Sequence, residues 1–145
     1  MLERAHWALL IPHRGRMALI DSVDRYDDER IAARGDNHRA LDHPLRSHGR
    51  LHAVHLCEYG AQSMAVHGAL AARDAGGAAR PGLLVALRAV DLHVDRFDDL
   101  PGPLLIDAVR EHADAGAWRY RFTVRHADDL LAEGSAMVML ERSEV

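Results

Sequence analysis

Residues 51–73 read LHAVHLCEYGAQSMAVHGALAAR, a stretch that is rich in alanine and free of proline. Its part from residue 59 to residue 72 contains no Asp, Glu, Lys or Arg, and Ala75-Gly76-Gly77 follows as a stop signal. These features predict one long helix that ends near the two glycines. Its apolar residues do not keep to a single stripe but go round the axis, so we expect the rest of the fold to enclose the helix on most sides.

A membrane span is the alternative interpretation of this segment. The uncharged run is shorter than the roughly 20 residues that a span needs. Polar residues also interrupt the segment, namely His52, His55, Glu58, Gln62 and His67. The first ten residues hold Glu3, Arg4 and His6 and no long apolar run, so no signal peptide is predicted. We therefore expect a cytoplasmic protein that makes no membrane contact.

The segments on both sides of the helix have strand patterns. Before it, residues 17–27 and 30–36 predict a hairpin with a turn at Asp27-Asp28-Glu29. After it, four strands are predicted at residues 83–95, 104–112, 118–125 and 130–140. The clearest alternation puts Trp118, Tyr120, Phe122 and Val124 on one face of a strand. The turns between the last strands are short, so these strands should be antiparallel.

The composition fits a single globular domain over residues 1–145. Apolar residues make up 48% and charged residues 28% of the chain, and the net charge of −4 is not typical of a nucleic-acid-binding protein. All 18 residues of the Lys and Arg class are arginines, which excludes chemistry that needs lysine, such as Schiff-base catalysis or a P-loop. A hairpin, a long helix and a run of strands predict an α+β fold, with a curved antiparallel sheet wrapped around the central helix.

Glu58 is the residue in this helix that needs an explanation. A carboxylate inside a buried helix is costly unless it is paired or has a chemical role. The polar loop at residues 36–50 precedes the helix and holds His38, His43 and His48. Histidines, a carboxylate and the free N–H groups of a helix N-terminus together suit proton transfer next to a thioester carbonyl. The alternatives are a carboxylate that faces a gap in the sheet or is capped by a partner, and loop histidines that are only solvated.

Other chemistries have weaker signals. His48, His52, His55 and Glu58 have the spacing of a helical metal ladder, but neither HExxH nor a paired ExxH is present, so we expect no metal and no cofactor. The single cysteine, Cys57, cannot form an intrachain disulfide, and in an apolar helix it is expected to pack rather than react.

Arginines alternate along the other face of the strand at residues 118–125. They are Arg119, Arg121 and Arg125. Such a row is usually a solvated face. The alternative is that arginine holds the phosphate of a phosphopantetheine group or an acidic carrier protein.

Two segments resemble the hotdog-fold 3-hydroxyacyl-acyl carrier protein dehydratases. IPHR at residues 11–14 with MALIDSV at residues 17–23 is similar to the family's LPHR-x-x-MLLLDRV pattern, and CEYGAQ at residues 57–62 is similar to IE-x-x-AQ. The aryl-polyene-type dehydratases are the nearest variant, because their LPA-x-x-GIEY-x-AQ matches LHAVHLCEYGAQ at residues 51–62. The resemblance implies a hotdog fold and dehydration of a 3-hydroxyacyl thioester on acyl carrier protein, in fatty acid or polyene synthesis.

The resemblance also implies roles for individual residues. His43 would take the α proton, Glu58 would protonate the departing 3-hydroxyl, and the Ala53 N–H would polarise the thioester carbonyl. Gln62 would support Glu58 from one turn further along, and His48 is a possible substitute base. The loop histidine of one subunit would meet the glutamate of the other, so a homodimer or a dehydratase-like heterodimer is expected.

The chain departs from the pattern near the histidine. DHPL at residues 42–45 replaces GHFP, and His52 stands where the family has proline. Two other functions therefore stay open. One is a hotdog thioesterase in which Glu58 activates water or attacks the carbonyl. The other is a non-catalytic subunit that binds an acyl carrier protein and supports an active partner.

Overall fold

The computed structural model describes residues 1–9, 11, 15–77, 82–114 and 116–140, and in these it packs one long helix against a seven-stranded antiparallel sheet. The helix, α1, spans Leu56–Asp74 and follows a 3₁₀ turn at Ala53–His55. The predicted helix at residues 51–73 is confirmed, except that its first residues form an extended approach and this tighter turn. No helix in the described part of the chain is long and apolar enough to cross a membrane.

The strands confirm the antiparallel prediction. They are β1 (Leu2–Glu3), β2 (Ser22–Tyr26), β3 (Arg30–Gly35), β4 (Gly82–Leu92), β5 (Leu104–Ala113), β6 (Ala117–His126) and β7 (Asp129–Leu140). Their order in the sheet is β1-β2-β3-β5-β6-β7-β4, with every neighbouring pair antiparallel. The hairpin begins later than predicted, at β2, and β1 was not predicted because two residues carry no periodic signal. Residues 12–14 of the first family-like motif lie outside the described residues.

The core lies between α1 and the sheet. Tyr120, Phe122 and Val124 of β6 are fully buried against the helix, whereas Arg119 and Arg121 face outward. This matches the alternation in the sequence, since successive side chains of a strand point to opposite faces. Eleven helix residues are buried, but a stripe on the opposite side of α1 is only half-buried. The helix is therefore less enclosed than its sequence predicts.

Gly60 lets α1 approach the sheet closely. A Cβ at this position would lie 2.7 Å from Cδ2 and 2.8 Å from Cγ of Phe122. The same ring meets a second glycine, Gly134, whose added Cβ would lie 3.1 Å from Cζ. The buried ring has little room to move, because glycines contact it from both the helix and the neighbouring strand.

Replacing Gly60 with alanine should destabilise the protein by about 1–3 kcal/mol net, because the clash with Phe122 exceeds the gain in helix propensity of about 1 kcal/mol. Urea unfolding of both proteins measures the difference. Gly68→Ala is the matched control in the same helix, since its Cβ would lie 3.1 Å from the outer edge of the half-buried Trp118 ring, which can shift. Equal stability of the two variants would contradict this packing argument.

Candidate active site

His43 is buried where the loop at residues 36–50 meets α1. The Leu45 N–H donates to His43 Nδ1 at 3.1 Å, so the ring proton is on Nε2, which donates to the Tyr59 hydroxyl at 3.1 Å. The Tyr59 hydroxyl in turn donates to Asn37 Oδ1 at 2.8 Å. Burial lowers the pKa of His43, and the positive charge of Arg46 adds to this effect. The loop histidine is thus neutral, with both ring nitrogens bonded within its own chain.

Glu58 lies on the half-buried side of α1. Among the described residues its carboxylate has no hydrogen bond and no ion pair, unlike Tyr59 beside it. The same stripe continues along the helix with the small residues Ala61, Ala65 and Gly68. The sequence predicts a helix that is enclosed on most sides and a buried carboxylate, but in the single chain Glu58 is only half-buried, because the sheet covers the other faces of the helix. Glu58 is therefore open to a substrate or to a second subunit.

Ala53 is buried at the start of the 3₁₀ turn. Its N–H donates to the Asp95 carbonyl at 3.0 Å, so in this chain the donor that the sequence suggests for a thioester oxygen already has an acceptor. Its role as an oxyanion donor stays a prediction. The next donor is the Val54 N–H, in the first turn of the helical segment, where backbone N–H groups lack intrahelical acceptors.

Gln62 is fully buried and joins the two segments that carry the family resemblance. Its Oε1 accepts the Leu19 N–H at 2.8 Å, and its Nε2 donates to the Met17 carbonyl at 2.6 Å. Both side-chain bonds run to the segment that leads into β2. The observed contacts of Gln62 therefore fix the helix to that segment, and a supporting role toward Glu58 stays a prediction.

Two charged residues hold the histidine loop in place, and neither of them stands in a local sequence pattern that indicates this role. Arg46 donates to the carbonyls of Ala40 at 2.7 Å, Gly49 at 2.6 Å and His38 at 3.4 Å. Asp98 is buried and accepts the Leu51 N–H at 2.9 Å, just before the helix begins. Their partners are distant in sequence or are backbone groups, which no residue pattern records.

Arg96 keeps Asp98 ionised. Its guanidinium contacts both carboxylate oxygens, with Nε at 3.1 Å from Oδ1, and Arg46 Nη1 lies 3.8 Å from Oδ2. These contacts hold the pKa of the Asp98 carboxyl well below its ordinary value. The segment after β4 is thereby tied to both the loop and the start of the helix.

The other histidines near the helix do not gather into a metal site. His48 is exposed at a turn with a positive φ of 53°, and His52 is exposed where the backbone bridges to Arg96. No group of three or more ligand side chains comes together among the described residues. Cys57 is a buried free thiol, and burial raises its pKa, which disfavours the reactive thiolate.

A comparison with protein-family models decides the family. The model described as ApeP dehydratase, of the ApeP-like family, matches residues 5–144. The chain belongs to the ApeP-like dehydratase family. No curated protein matches this chain. The family model covers the helix motif, the histidine loop and all strands from β2 onward.

Solved structures show the fold of this ApeP-like chain. It is similar to the dehydratase heterocomplex ApeI:P from Xenorhabdus doucetiae, with 20% identity, a TM-score of 0.81, and 92% of this chain and 89% of that chain covered. AziG from S. sahachiroi matches with 22% identity, a TM-score of 0.61, and 92% and 99% coverage. A proposed esterase from Mycobacterium tuberculosis matches with 15% identity, a TM-score of 0.66, and 93% and 100% coverage. The prediction of an α+β hotdog fold is confirmed.

Two histidines besides His43 are buried in this ApeP-like fold. The first, His67, connects the helix to the sheet. Its Nε2–H donates to the Asp27 carbonyl at 2.8 Å, and its Nδ1 accepts the Tyr120 hydroxyl at 2.7 Å. His38 is also fully buried and bonds the Leu100 carbonyl through Nε2 at 2.8 Å. Burial lowers the pKa of His38 and His67 as it does for His43.

Acid should therefore destabilise the protein from about pH 6.5 downward, because the unfolded chain binds protons at the histidines that the folded chain excludes. We expect a loss of about 1–3 kcal/mol in the free energy of unfolding between pH 7.5 and pH 5.5. Urea titrations at the two pH values measure it. His67→Gln should reduce this pH dependence and the exposed His112→Gln should not, whereas equal stability of the wild type at both pH values would refute the argument.

Proposed function

We propose that this chain dehydrates a 3-hydroxyacyl thioester carried by acyl carrier protein, giving the trans-2-enoyl thioester and water. The observation that carries the proposal is the Glu58 carboxylate, which has no hydrogen bond or ion pair among the described residues and lies on the open side of the central helix, in a chain of a dehydratase family. A histidine takes the proton from C2, and its electron pair forms the C2–C3 double bond. The C3–O bond breaks as Glu58 protonates the leaving hydroxyl. Return of the proton from histidine to Glu58 completes the cycle.

The family resemblance gives the base role to His43. A base needs a free lone pair, and the lone pair of His43 Nδ1 accepts the Leu45 N–H. His43 can therefore act only after this hydrogen bond opens, which requires the loop to move. His48 is the substitute base, and its exposed position at the turn leaves it accessible.

A second hotdog subunit is part of the proposal. In the described chain β4 is an edge strand that pairs with β7 on one side and has no partner strand on the other. Its exposed apolar side chains continue onto β7, and the set comprises Leu84, Leu87, Leu92, Met137 and Met139. An edge strand with unpaired backbone groups and exposed apolar side chains can pair with a strand of a second subunit. We propose pairing along β4 as a homodimer or as a heterodimer of the kind named in ApeI:P.

Arginine is the cation available to receive an acidic carrier protein, because the chain has no lysine. On the outer face of β6, Arg119 and Arg121 are exposed, and Arg121 already pairs with Glu111 at 2.7 Å. These arginines support docking of an acidic carrier protein only through their positive charge.

A thioesterase is the second candidate, because the open side of Glu58 would also admit a water molecule for hydrolysis. The two reactions differ in their products. The wild type, Glu58→Ala and His43→Ala are incubated with a 3-hydroxyacyl pantetheine thioester, and the products are separated by chromatography. Enoyl thioester from the wild type, lost in Glu58→Ala and retained in the exposed control Glu29→Ala, supports dehydration. Release of free acid that is retained in His43→Ala supports the thioesterase. If the wild type turns over no substrate, the remaining alternative is a non-catalytic subunit that supports an active partner.

A further inference from the structure

We propose that Tyr59 is the positioning residue of the histidine base: its hydroxyl keeps the ring proton of His43 on Nε2, so that Nδ1 is the nitrogen that accepts the C2 proton. The inference rests on the proposed dehydration with His43 as its base. Tyr59 directly follows Glu58 in α1, but its side chain is fully buried. The hydroxyl exchanges no proton with the substrate and acts only on the orientation and the tautomer of the imidazole.

The direction of the hydrogen bonds around His43 is set by a backbone group. The Leu45 N–H can only donate, so the His43 Nδ1 that receives it at 3.1 Å carries a lone pair. A neutral imidazole then has its proton on Nε2, which donates to the Tyr59 hydroxyl oxygen at 3.1 Å. The hydroxyl proton of Tyr59 is left to donate to Asn37 Oδ1 at 2.8 Å. Each donor in this series therefore has an acceptor, and only one tautomer of His43 satisfies all of them.

The Tyr59 ring packs against two other segments of the chain, which makes it a fixed point for the histidine loop. Its centroid lies 5.7 Å from that of the Phe97 ring, in a T-shaped contact. The ring also lies close to Gly35 of β3, where an added Cβ would be 3.1 Å from Tyr59 Cε1. Burial raises the pKa of the Tyr59 hydroxyl, so the group stays protonated and keeps its bond to Asn37. A fixed acceptor of this kind orients the base and selects its tautomer.

Only one of the two contacts of the ring is compatible with a protonated His43. The imidazolium has an N–H at both nitrogens. The Tyr59 oxygen accepts the Nε2–H of the neutral and of the charged ring, whereas the Leu45 N–H would face a second N–H at Nδ1. The Leu45 contact must therefore open before His43 takes up a proton, and the Tyr59 contact holds the ring while it opens.

The proposed step accounts for each proton of the imidazole. The C2 proton moves to Nδ1, the C2 electrons form the double bond, and the C3–O bond breaks as Glu58 protonates the hydroxyl that leaves as water. The Nε2 proton stays between His43 and Tyr59, and the Nδ1 proton then returns to the Glu58 carboxylate. Because the anchor lies within one chain, the imidazole keeps its position when a second subunit brings its glutamate to the site, as the family resemblance implies.

Tyr59→Phe tests the assignment, because it removes the hydroxyl and keeps the packed ring. ¹⁵N NMR of the imidazole should show His43 wholly as the Nε2–H tautomer in the wild type and without this preference in the variant. The kcat for dehydration should fall by about 10- to 100-fold, since the base is no longer held in place, while KM stays within about threefold of the wild-type value. Tyr120→Phe is the matched control. Its hydroxyl is also buried and donates to another histidine, His67 Nδ1, at 2.7 Å, so its loss should change neither the His43 signals nor kcat.

Asn37 gives a second test, which decides the matter if Tyr59→Phe does not fold. Asn37→Asp keeps an oxygen that accepts the Tyr59 hydroxyl and should retain the Nε2–H tautomer of His43. Asn37→Leu frees the hydroxyl to donate to the imidazole and should lose this tautomer. A wild-type ring protonated on Nδ1, or a folded Tyr59→Phe with unchanged tautomer or kcat, would overturn the inference alone. Absence of turnover by the wild type would overturn the proposed function, and with it any role of Tyr59 in dehydration.

Discussion

Replacing Glu58 with glutamine is expected to lower kcat for dehydration by about 10²- to 10⁴-fold, the range typical of a lost general acid. The amide has nearly the same shape as the carboxyl group but cannot protonate the leaving hydroxyl. Binding should change little, so KM is expected to stay within about threefold of the wild-type value. Initial rates over a range of substrate concentrations measure both parameters.

The same variant should fold normally. The Glu58 carboxylate has no hydrogen bond or ion pair among the described residues, so its loss removes no fixed contact. The free energy of unfolding should therefore change by less than about 0.5 kcal/mol. If Glu58→Gln folds like the wild type and keeps a similar kcat, the carboxyl group is not the acid and the proposed chemistry fails.

Replacing Asp98 with alanine should destabilise the protein by about 2–4 kcal/mol, among the largest effects on stability expected here. The change leaves the buried Leu51 N–H without its acceptor and removes the counter-charge of Arg96 and Arg46. Because the Arg96 side chain is partly exposed, water can solvate its charge in the variant. The expected loss of stability is therefore smaller than for breaking a fully buried ion pair. Urea unfolding at neutral pH measures the change.

Asp99→Ala is the matched control for this prediction. Asp99 is the next residue and is exposed, so its replacement should change stability by less than about 0.5 kcal/mol. The low pKa of Asp98 also has a consequence for the wild type. The ionised Asp98 carboxylate contributes fully to the free energy of unfolding at pH values above the ordinary aspartate pKa of about 4. This contribution is lost progressively as the pH falls below that value, because the proton then binds the unfolded chain first. Similar stability of the Asp98 and Asp99 variants would contradict the anchoring role.

The helix and the sheet could be predicted because their signals are local. The proline-free segment at residues 51–73 and the alternation in β6 each record burial in their own periodicity. The position of β4 could not be read in this way. It is the next element after α1 but lies at the far edge of the sheet beside β7, and this placement depends on strand pairing between residues far apart in the sequence, which no local pattern records.

The candidate site was predictable only in part. Glu58 and Gln62 stand in a motif of residue types, so the sequence indicates them directly. The hydrogen bonds around the neutral His43 ring involve Asn37, Leu45 and Tyr59. Tyr59 lies 16 residues away from His43 in the sequence. A pattern cannot show that both ring nitrogens are occupied, because this depends on how the loop folds back on the helix. For the same reason Asp98 and Arg46 were missed.

The most direct test of the central claim is the intact mass of a 3-hydroxyacyl carrier protein before and after incubation with the wild-type chain. The account predicts that the carrier loses the mass of one water molecule while its acyl group stays attached, and that Glu58→Gln leaves the mass unchanged. Release of the whole acyl group, or an unchanged carrier with the wild-type chain, would contradict it.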